Sequence, residues 1–201
     1  MDVKEADAVI HRIFAGVSGY TTSLNARAAM AEDASRHYTY GEFSTEALAA
    51  MLAMAAPQPG EVFYDLGSGS GAALMTAHLL HPFARAVGVE LLEPLHQLAV
   101  SQRARFLAEL GAVIGDRPIE LRHEDICATD LGDADVLLGH WVCFDDAVMP
   151  AIEAKLGELR PGARVLVASK WLGSDALELR ATIAYPTKWG TEGSCRCYVR
   201  R

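Results

Sequence analysis

Val62-Phe63-Tyr64-Asp65-Leu66-Gly67-Ser68-Gly69-Ser70-Gly71 is the stretch that decides the fold. Three apolar residues run into an acid, and glycine then stands at every second position. Short runs that are apolar on both faces are how strands of a parallel sheet covered on both sides read. Glycines directly after such a strand let the backbone turn sharply and lie against a ligand that a side chain would push away. A helix is expected from about Ala72 to Leu80, and its free N–H groups and positive dipole end would face the same ligand.

Outward from that loop, Ala86–Val89, Val136–Leu138 and Val165–Ala168 repeat the short apolar run, and Ile119–Arg122 makes a further strand. Amphipathic stretches separate them. Leu95, Leu98, Ala99, Phe106 and Leu110 mark one helix; Phe144, Val148, Ile152, Leu156 and Leu159 mark another, stopped by Arg160-Pro161-Gly162. Alternating strands and helices of this kind make an open α/β sheet with right-handed crossovers. Leu177 to Tyr185 and Cys195 to Val199 instead alternate with period two. They predict two antiparallel strands with one polar face, joined through the turn-prone segment from Pro186 to Gly193.

The chain before the glycine loop is helical in pattern. Val3, Ile10, Ile13, Phe14 and Val17 form one apolar stripe, a second helix runs from about Leu24 to Ser35, and a third starts at Ser44 or Thr45 and stops before Pro57. The chain divides into a helical N-terminal cap, residues 1–59, and a ligand-binding domain, residues 60–201. With 201 residues, 51% of them hydrophobic, it can bury a sizeable core. A net charge of −8 argues against gripping nucleic acid or anionic lipid through a general field. The mixed charge of the first five residues does not read as a signal peptide, and Ala47–Ala56 is too short to span a bilayer. The expectation is a cytoplasmic protein acting on neither nucleic acid nor membrane; its oligomeric state is left open.

Acidic residues follow the loop at regular places. Glu90 ends the second strand, where a carboxylate can accept both hydroxyls of a ribose. Asp125 follows the third, placed to accept an adenine amino group. Gly67, Gly69 and Ala72 also satisfy the loose dinucleotide pattern. Against that stand Asp65 before the first glycine, the third glycine Gly71, and the antiparallel pair at the end. Asp65-Leu66-Gly67-Ser68-Gly69-Ser70-Gly71 with the later acid resembles motif I and the ribose-binding acid of class I S-adenosylmethionine-dependent methyltransferases. The resemblance, over about residues 36 to 201, implies a Rossmann-like seven-stranded sheet with its last strand inserted antiparallel. It also implies S-adenosyl-L-methionine as cofactor, S-adenosyl-L-homocysteine as product, and no metal.

Other segments narrow the family. Tyr40-Gly41-Glu42 followed by Ser44, Gly88-Val89-Glu90, a helix after His140-Trp141-Val142-Cys143-Phe144, and Ala168-Ser169-Lys170 stand in order. Together with the loop they resemble the core of the non-SET histone-lysine methyltransferases named for disruption of telomeric silencing, and the small protein-lysine methyltransferases built on it. That resemblance implies that Glu42 contacts the methionine end of the cofactor and Glu90 its ribose. The cofactor set expected is Glu42, Asp65, Gly67, Ser68, Gly69, Gly71, Glu90, Asp125 and His140. The family carries an Asn-Asn pair where this chain has His140-Trp141, and the histone enzymes use long basic extensions. With a charge of −8, a nucleosome is not the expected substrate; a lysine on another protein, or a small amine, is.

An amine nucleophile must lose a proton from a pKa of about 10.4 before it attacks. An aromatic-walled channel lowers that pKa by desolvating the ammonium. Tyr38, Tyr40, Trp141, Phe144 and Trp171 are candidate walls, and His140 a candidate base. The catalytic set is therefore His140, Trp141 and Tyr38. Two alternatives stay open: a small-molecule N- or O-methyltransferase in which the residues before Tyr38 form a lid, and a cofactor-binding module without turnover. Cys195 and Cys197, on one strand face without a C-x-x-C partner, read as buried thiols and not metal ligands. Lys170 reads as a solvated lysine, and His78, His81 and His96 as surface or capping residues.

Overall fold

The computed structural model describes residues 1–28, 41–142, 144–187 and 190–201. Tyr38 and Tyr40, two of the expected channel walls, lie outside the described residues, as does Cys143. The strands are β1 (Val62–Leu66), β2 (Arg85–Glu90), β3 (Ile119–His123), β4 (Val136–Gly139), β5 (Arg164–Ala168), β6 (Leu177–Pro186) and β7 (Glu192–Arg200). They form one sheet in the order β3-β2-β1-β4-β5-β7-β6. The first five are parallel, and β7 lies antiparallel between β5 and β6. Strand order reverses between β1 and β4, and in open α/β sheets the crevice at such a reversal, beyond the carboxyl ends of the strands, is where ligands sit.

The helices are α1 (Val3–Ile13), α2 (Gly19–Ala28), α3 (Thr45–Ala55), α4 (Ala72–Leu80), α5 (Glu93–Ile114) and α6 (Met149–Leu156). Asp2 and Glu5 close a capping box on α1, and the Ser44 hydroxyl accepts from the Ala47 N–H to start α3. One face of the sheet is covered by α1, α3, α4 and part of α5. There Val9, Ile13, Leu48, Met51 and Leu52 join Phe63, Leu74 and Phe106 in one continuous core. Residues of α1 and α3 thus pack directly into the core under the sheet. Met149, Ile152 and Leu156 of α6 build the core of the opposite face with Tyr64, Leu137 and Val165. Among the described residues, no helix is long and apolar enough to cross a membrane.

Three expectations are corrected. The helix expected from Phe144 through Leu159 is only Met149–Leu156, because Pro150 favours the first turn and Phe144 and Val148 belong to the loop before it. The pair β6 and β7 does not share one polar face. β6 alternates, but Cys195, Arg196, Cys197 and Tyr198 are all buried, since both faces of β7 are covered: Cys195 and Cys197 join the core of α1, α3 and α4, and Tyr198 joins the opposite one. Burial pushes the Cys195 thiol up to about 12 and raises Cys197, which keeps both protonated, as buried thiols should be.

The third correction is His78, which is fully buried in α4. Its Nε2 donates to the Arg117 carbonyl at 3.1 Å. Burial first, and the Arg117 charge second, lower its pKa to about 4. An unfolded histidine titrates near 6.5, so the unfolded chain binds more protons between those values and stability falls as pH drops through that window. His78→Gln is expected to flatten this acid limb by on the order of 2 kcal/mol in urea unfolding at pH values between about 4 and 7. An unchanged pH dependence would contradict it.

Candidate functional site

The glycine loop folds back over the end of β2. The N–H groups of Gly67 and Ser68 both donate to the Val89 carbonyl at 2.9 Å. Gly67 and Gly69 have φ of 84° and 54°, backbone that favours glycine. Glu90, 7% exposed, ties the loop down from below: its Oε2 accepts from the Gly69 N–H and its Oε1 from the Leu92 N–H, each at 2.8 Å. Burial raises its pKa, and those backbone donors pull it back. Each oxygen keeps a second lone pair, which suits a carboxylate that must also accept from two ligand hydroxyls. Asp125 caps the short 3-10 turn Ile126–Ala128, accepting from the Cys127 N–H at 2.8 Å.

Glu90 and Asp125 meet in a cavity of about 280 Å³, with Gly67, Gly69, Leu91, Ile126, Phe144 and Val148 among its walls. A second cavity, of about 560 Å³, lies beyond the loop, bounded by Gly41 to Glu46, by Asp7, Ile10 and Phe14 of α1, and by Asp65, Ser68 and Ala72. Among the described residues, only Gly67 and His140 line both. Gly67 follows β1 and His140 follows β4, so the two cavities join at the point where strand order reverses. The expected cofactor residues Glu42, Asp65, Gly67, Ser68, Gly69, Glu90, Asp125 and His140 are thereby brought to one cleft. Gly71 is not. It caps α4 with φ 80°, and a Cβ there would meet Met75 Cε at 3.2 Å and Ala99 Cβ at 3.3 Å, so its smallness serves the packing of α4 on α5.

The cleft is negative. Asp7, Glu42, Glu46 and Asp65 line the larger cavity; Glu90, Asp125 and Asp145 line the smaller. No lysine or arginine is among the described residues that line either. Asp65 is 3% exposed and its Oδ2 has no hydrogen-bond partner among the described residues. Burial first, and the charge of Glu90 second, push its pKa up to about 7.

His140 and Trp141 part company at the end of β4, where neighbouring side chains point to opposite faces. The His140 ring turns to the cleft. Its Nδ1 donates to the Gly41 carbonyl at 3.2 Å, and its ring centroid is 4.2 Å from that of Phe43. Burial lowers its pKa to about 4. Trp141 is corrected as an acceptor-facing residue: it is fully buried among the α6 side of the core, and its indole N–H donates to the Leu66 carbonyl at 3.0 Å. Gly139 makes room, since a Cβ there would stand 2.3 Å from the Trp141 ring.

The other expected walls scatter. Phe144 lines the smaller cavity, against the glycine loop. Trp171 lines neither; it is 66% exposed with the Arg196 guanidinium 4.0 Å over its ring. Lys170 pairs with exposed Asp146 at 2.7 Å. Sequence reasoning passed over Phe43, although an apolar residue just before a capping serine commonly packs against the helix it introduces. It also gave α1 no part in the cleft; alternation of polar Asp7 and His11 with Ile10 and Phe14 carries no signal for that.

The protein-family comparison matches histone methylation protein DOT1 over residues 20–183. The H3 lysine-79 specific histone-lysine N-methyltransferase of Eremothecium gossypii is 31% identical over 138 residues, which are 65% of this chain and 24% of that protein. The chain thus spans about a quarter of the length of this curated relative. Among solved structures, an RNA methyltransferase from Salinibacter ruber in complex with S-adenosyl-L-homocysteine has a TM-score of 0.61 and 24% identity, covering 80% of this chain and 94% of that one. Magnesium protoporphyrin IX methyltransferase from Synechocystis PCC 6803 with bound S-adenosylmethionine has a TM-score of 0.61 at 14% identity, covering 100% and 98%. At such identities these likenesses establish the fold alone.

Proposed function

The chain belongs to the histone methylation protein DOT1 family, and from the site it carries we propose that it transfers a methyl group from S-adenosylmethionine to a lysine side-chain amine of a protein. One observation carries the proposal: two cavities joined at the strand-order reversal, one holding Glu90 and Asp125 beside the glycine loop and both lined by carboxylates without a lysine or arginine among the described residues. S-adenosylmethionine brings a sulfonium and an ammonium, and a lysine approaches as an ammonium, so every partner in the reaction is cationic at some stage. Attraction to the cleft therefore favours both substrates.

In this reading Glu90 takes the ribose hydroxyls and Asp125 the adenine amino group. Asp65 and Glu42 face the methionine end across Gly67. The bound cofactor supplies an activated methyl on sulfur; the chain aligns it. Held by these residues, the cofactor would supply its methyl to a neutral amine, which would become a methylammonium as the cofactor becomes S-adenosylhomocysteine. Alignment of this kind can be worth about 7–11 kcal/mol of the barrier. A small amine is the second reading, supported by the part of α1 that walls the larger cavity beside Gly41 and Glu42. The test is transfer of radiolabelled methyl to poly-lysine, recombinant histone H3, nucleosomes, n-butylamine and transfer RNA. Nε-methyl-lysine in a hydrolysed protein acceptor is expected. Label confined to n-butylamine would select the second reading, and label confined to RNA would overturn both.

Asp65 gives the reading a pH signature. With its carboxyl held near 7, it is about half protonated in the free protein at neutral pH. A ligand ammonium at its unpartnered oxygen favours the charged form, so binding S-adenosylhomocysteine should release a proton. Affinity is expected to rise about tenfold between pH 6 and 8 and to lose most of that dependence in Asp65→Asn, read by calorimetry in buffers of different ionisation enthalpy. A flat wild-type profile would contradict this placement.

A further inference from the structure

His140 holds one nitrogen in use and one in reserve. A carbonyl oxygen can only accept, so the 3.2 Å contact from Nδ1 to the Gly41 carbonyl puts the ring proton on Nδ1. Nε2 is then a bare lone pair. It is buried and has no hydrogen-bond partner among the described residues. An unsatisfied buried acceptor costs free energy, and its survival at a cleft calls for a donor that comes with a ligand. Phe43 packs against the ring, with centroids 4.2 Å apart and planes tilted by 32°, and Tyr185 meets Phe43 in a T-shaped contact with centroids 5.6 Å apart. Tyr185 in turn sits against Gly193, where a Cβ would come within 2.7 Å of its ring. Among the described residues His140 and Gly67 alone line both cavities, so the free nitrogen belongs to the junction between them.

We infer that His140 Nε2 accepts a hydrogen bond from an N–H of the neutral acceptor amine and so turns the amine lone pair toward the sulfonium methyl. This rests on the amine-methylating reading above. The neutral amine has two N–H bonds and one lone pair; holding one N–H fixes the lone pair's direction. The proton that the starting ammonium must lose goes to solvent before attack, and the imidazole stays neutral throughout. That agrees with the low pKa that burial gives the ring, which leaves it a weak proton carrier and a good fixed acceptor. His140 is then a catalytic residue by contact with the nucleophile and not a general base.

The test compares His140→Phe, which keeps the ring shape without the acceptor, with His140→Gln, whose amide oxygen reaches toward the Nε2 position. For methyl transfer to n-butylamine, kcat is expected to fall about 100-fold in His140→Phe and to stay within about tenfold of wild type in His140→Gln. Affinity for S-adenosylhomocysteine should change by less than about threefold in both. The pH dependence of kcat should follow the amine, with the same alkaline rise in wild type and His140→Gln. Equal turnover in wild type and His140→Phe would overturn the inference and leave the methyltransferase reading standing. A matching loss of S-adenosylhomocysteine affinity would overturn it too, by giving Nε2 to the cofactor. A readout without turnover covers a poor acceptor or a variant that folds badly. In the wild-type complex with S-adenosylhomocysteine, the nitrogen resonances of His140 should show the Nδ1–H tautomer, and added n-butylamine should shift Nε2. The opposite tautomer, or an Nε2 signal indifferent to the amine, would also overturn the inference. A wild-type protein that passes this spectroscopic test yet transfers no methyl to any amine would instead bring down the activity reading.

Discussion

Glu90→Ala is expected to weaken S-adenosylhomocysteine binding by at least about 100-fold, the largest effect of any single substitution in the cleft. Two losses combine. The carboxylate that would accept the ribose hydroxyls disappears, and hydrogen bonds to a charged group are worth about 1.5–3 kcal/mol each. The loop loses its anchor as well, because Gly69 and Leu92 both donate to the Glu90 oxygens. Since each tenfold in affinity is about 1.4 kcal/mol, one good hydroxyl contact and part of the loop order suffice for the stated change. Glu90→Gln should fall between the two, keeping one oxygen but turning an amide N–H₂ against a backbone N–H. Calorimetric titration measures both; wild-type affinity in Glu90→Ala would remove Glu90 from the nucleoside site.

Trp141→Ala is expected to cost about 3–5 kcal/mol of stability, the usual range for deleting a fully buried large aromatic. Trp141 is among the largest fully buried side chains, between β4 and the α6 side of the core. Its removal also strips the Leu66 carbonyl of its donor, immediately before the glycine loop. Loss of the indole should therefore loosen the loop, and cofactor affinity should fall with stability. Gly139→Ala approaches the same result from the other side, since its Cβ would press into the Trp141 ring. Urea unfolding with near-UV circular dichroism reads the effect, and a change under about 1 kcal/mol in Trp141→Ala would mean that the ring is not the wedge described.

Most of the scaffold was legible because it depends on short-range physics. An apolar run, an acid and alternating glycines leave the chain one course after β1, and the acids ending β2 and following β3 stand where parallel strands deliver them to one edge. The antiparallel pair showed in its period of two. What stayed hidden depends on which neighbour arrives. His78 has an ordinary helical environment in sequence, and the carbonyl that meets its buried ring belongs to Arg117, 39 residues on. Trp141 and His140 are adjacent, and which of them faces the cleft is set by how Gly139 lets the indole fold under Leu66. β7 alternates in sequence, yet its residues Cys195 to Tyr198 are all buried, because distant elements cover both of its faces. The share of α1 in the cleft brings Asp7 to the same cavity as Asp65, more than 50 residues on, and no local pattern announces it.

A crystal structure of the chain with S-adenosylhomocysteine tests the central claim most directly. The ribose hydroxyls should lie within hydrogen-bond distance of the Glu90 carboxylate, the adenine beside Asp125, and the sulfur at the junction between Gly67 and His140. Nucleoside bound outside the cavity of Glu90 and Asp125, or a sulfur turned away from His140, would contradict the account.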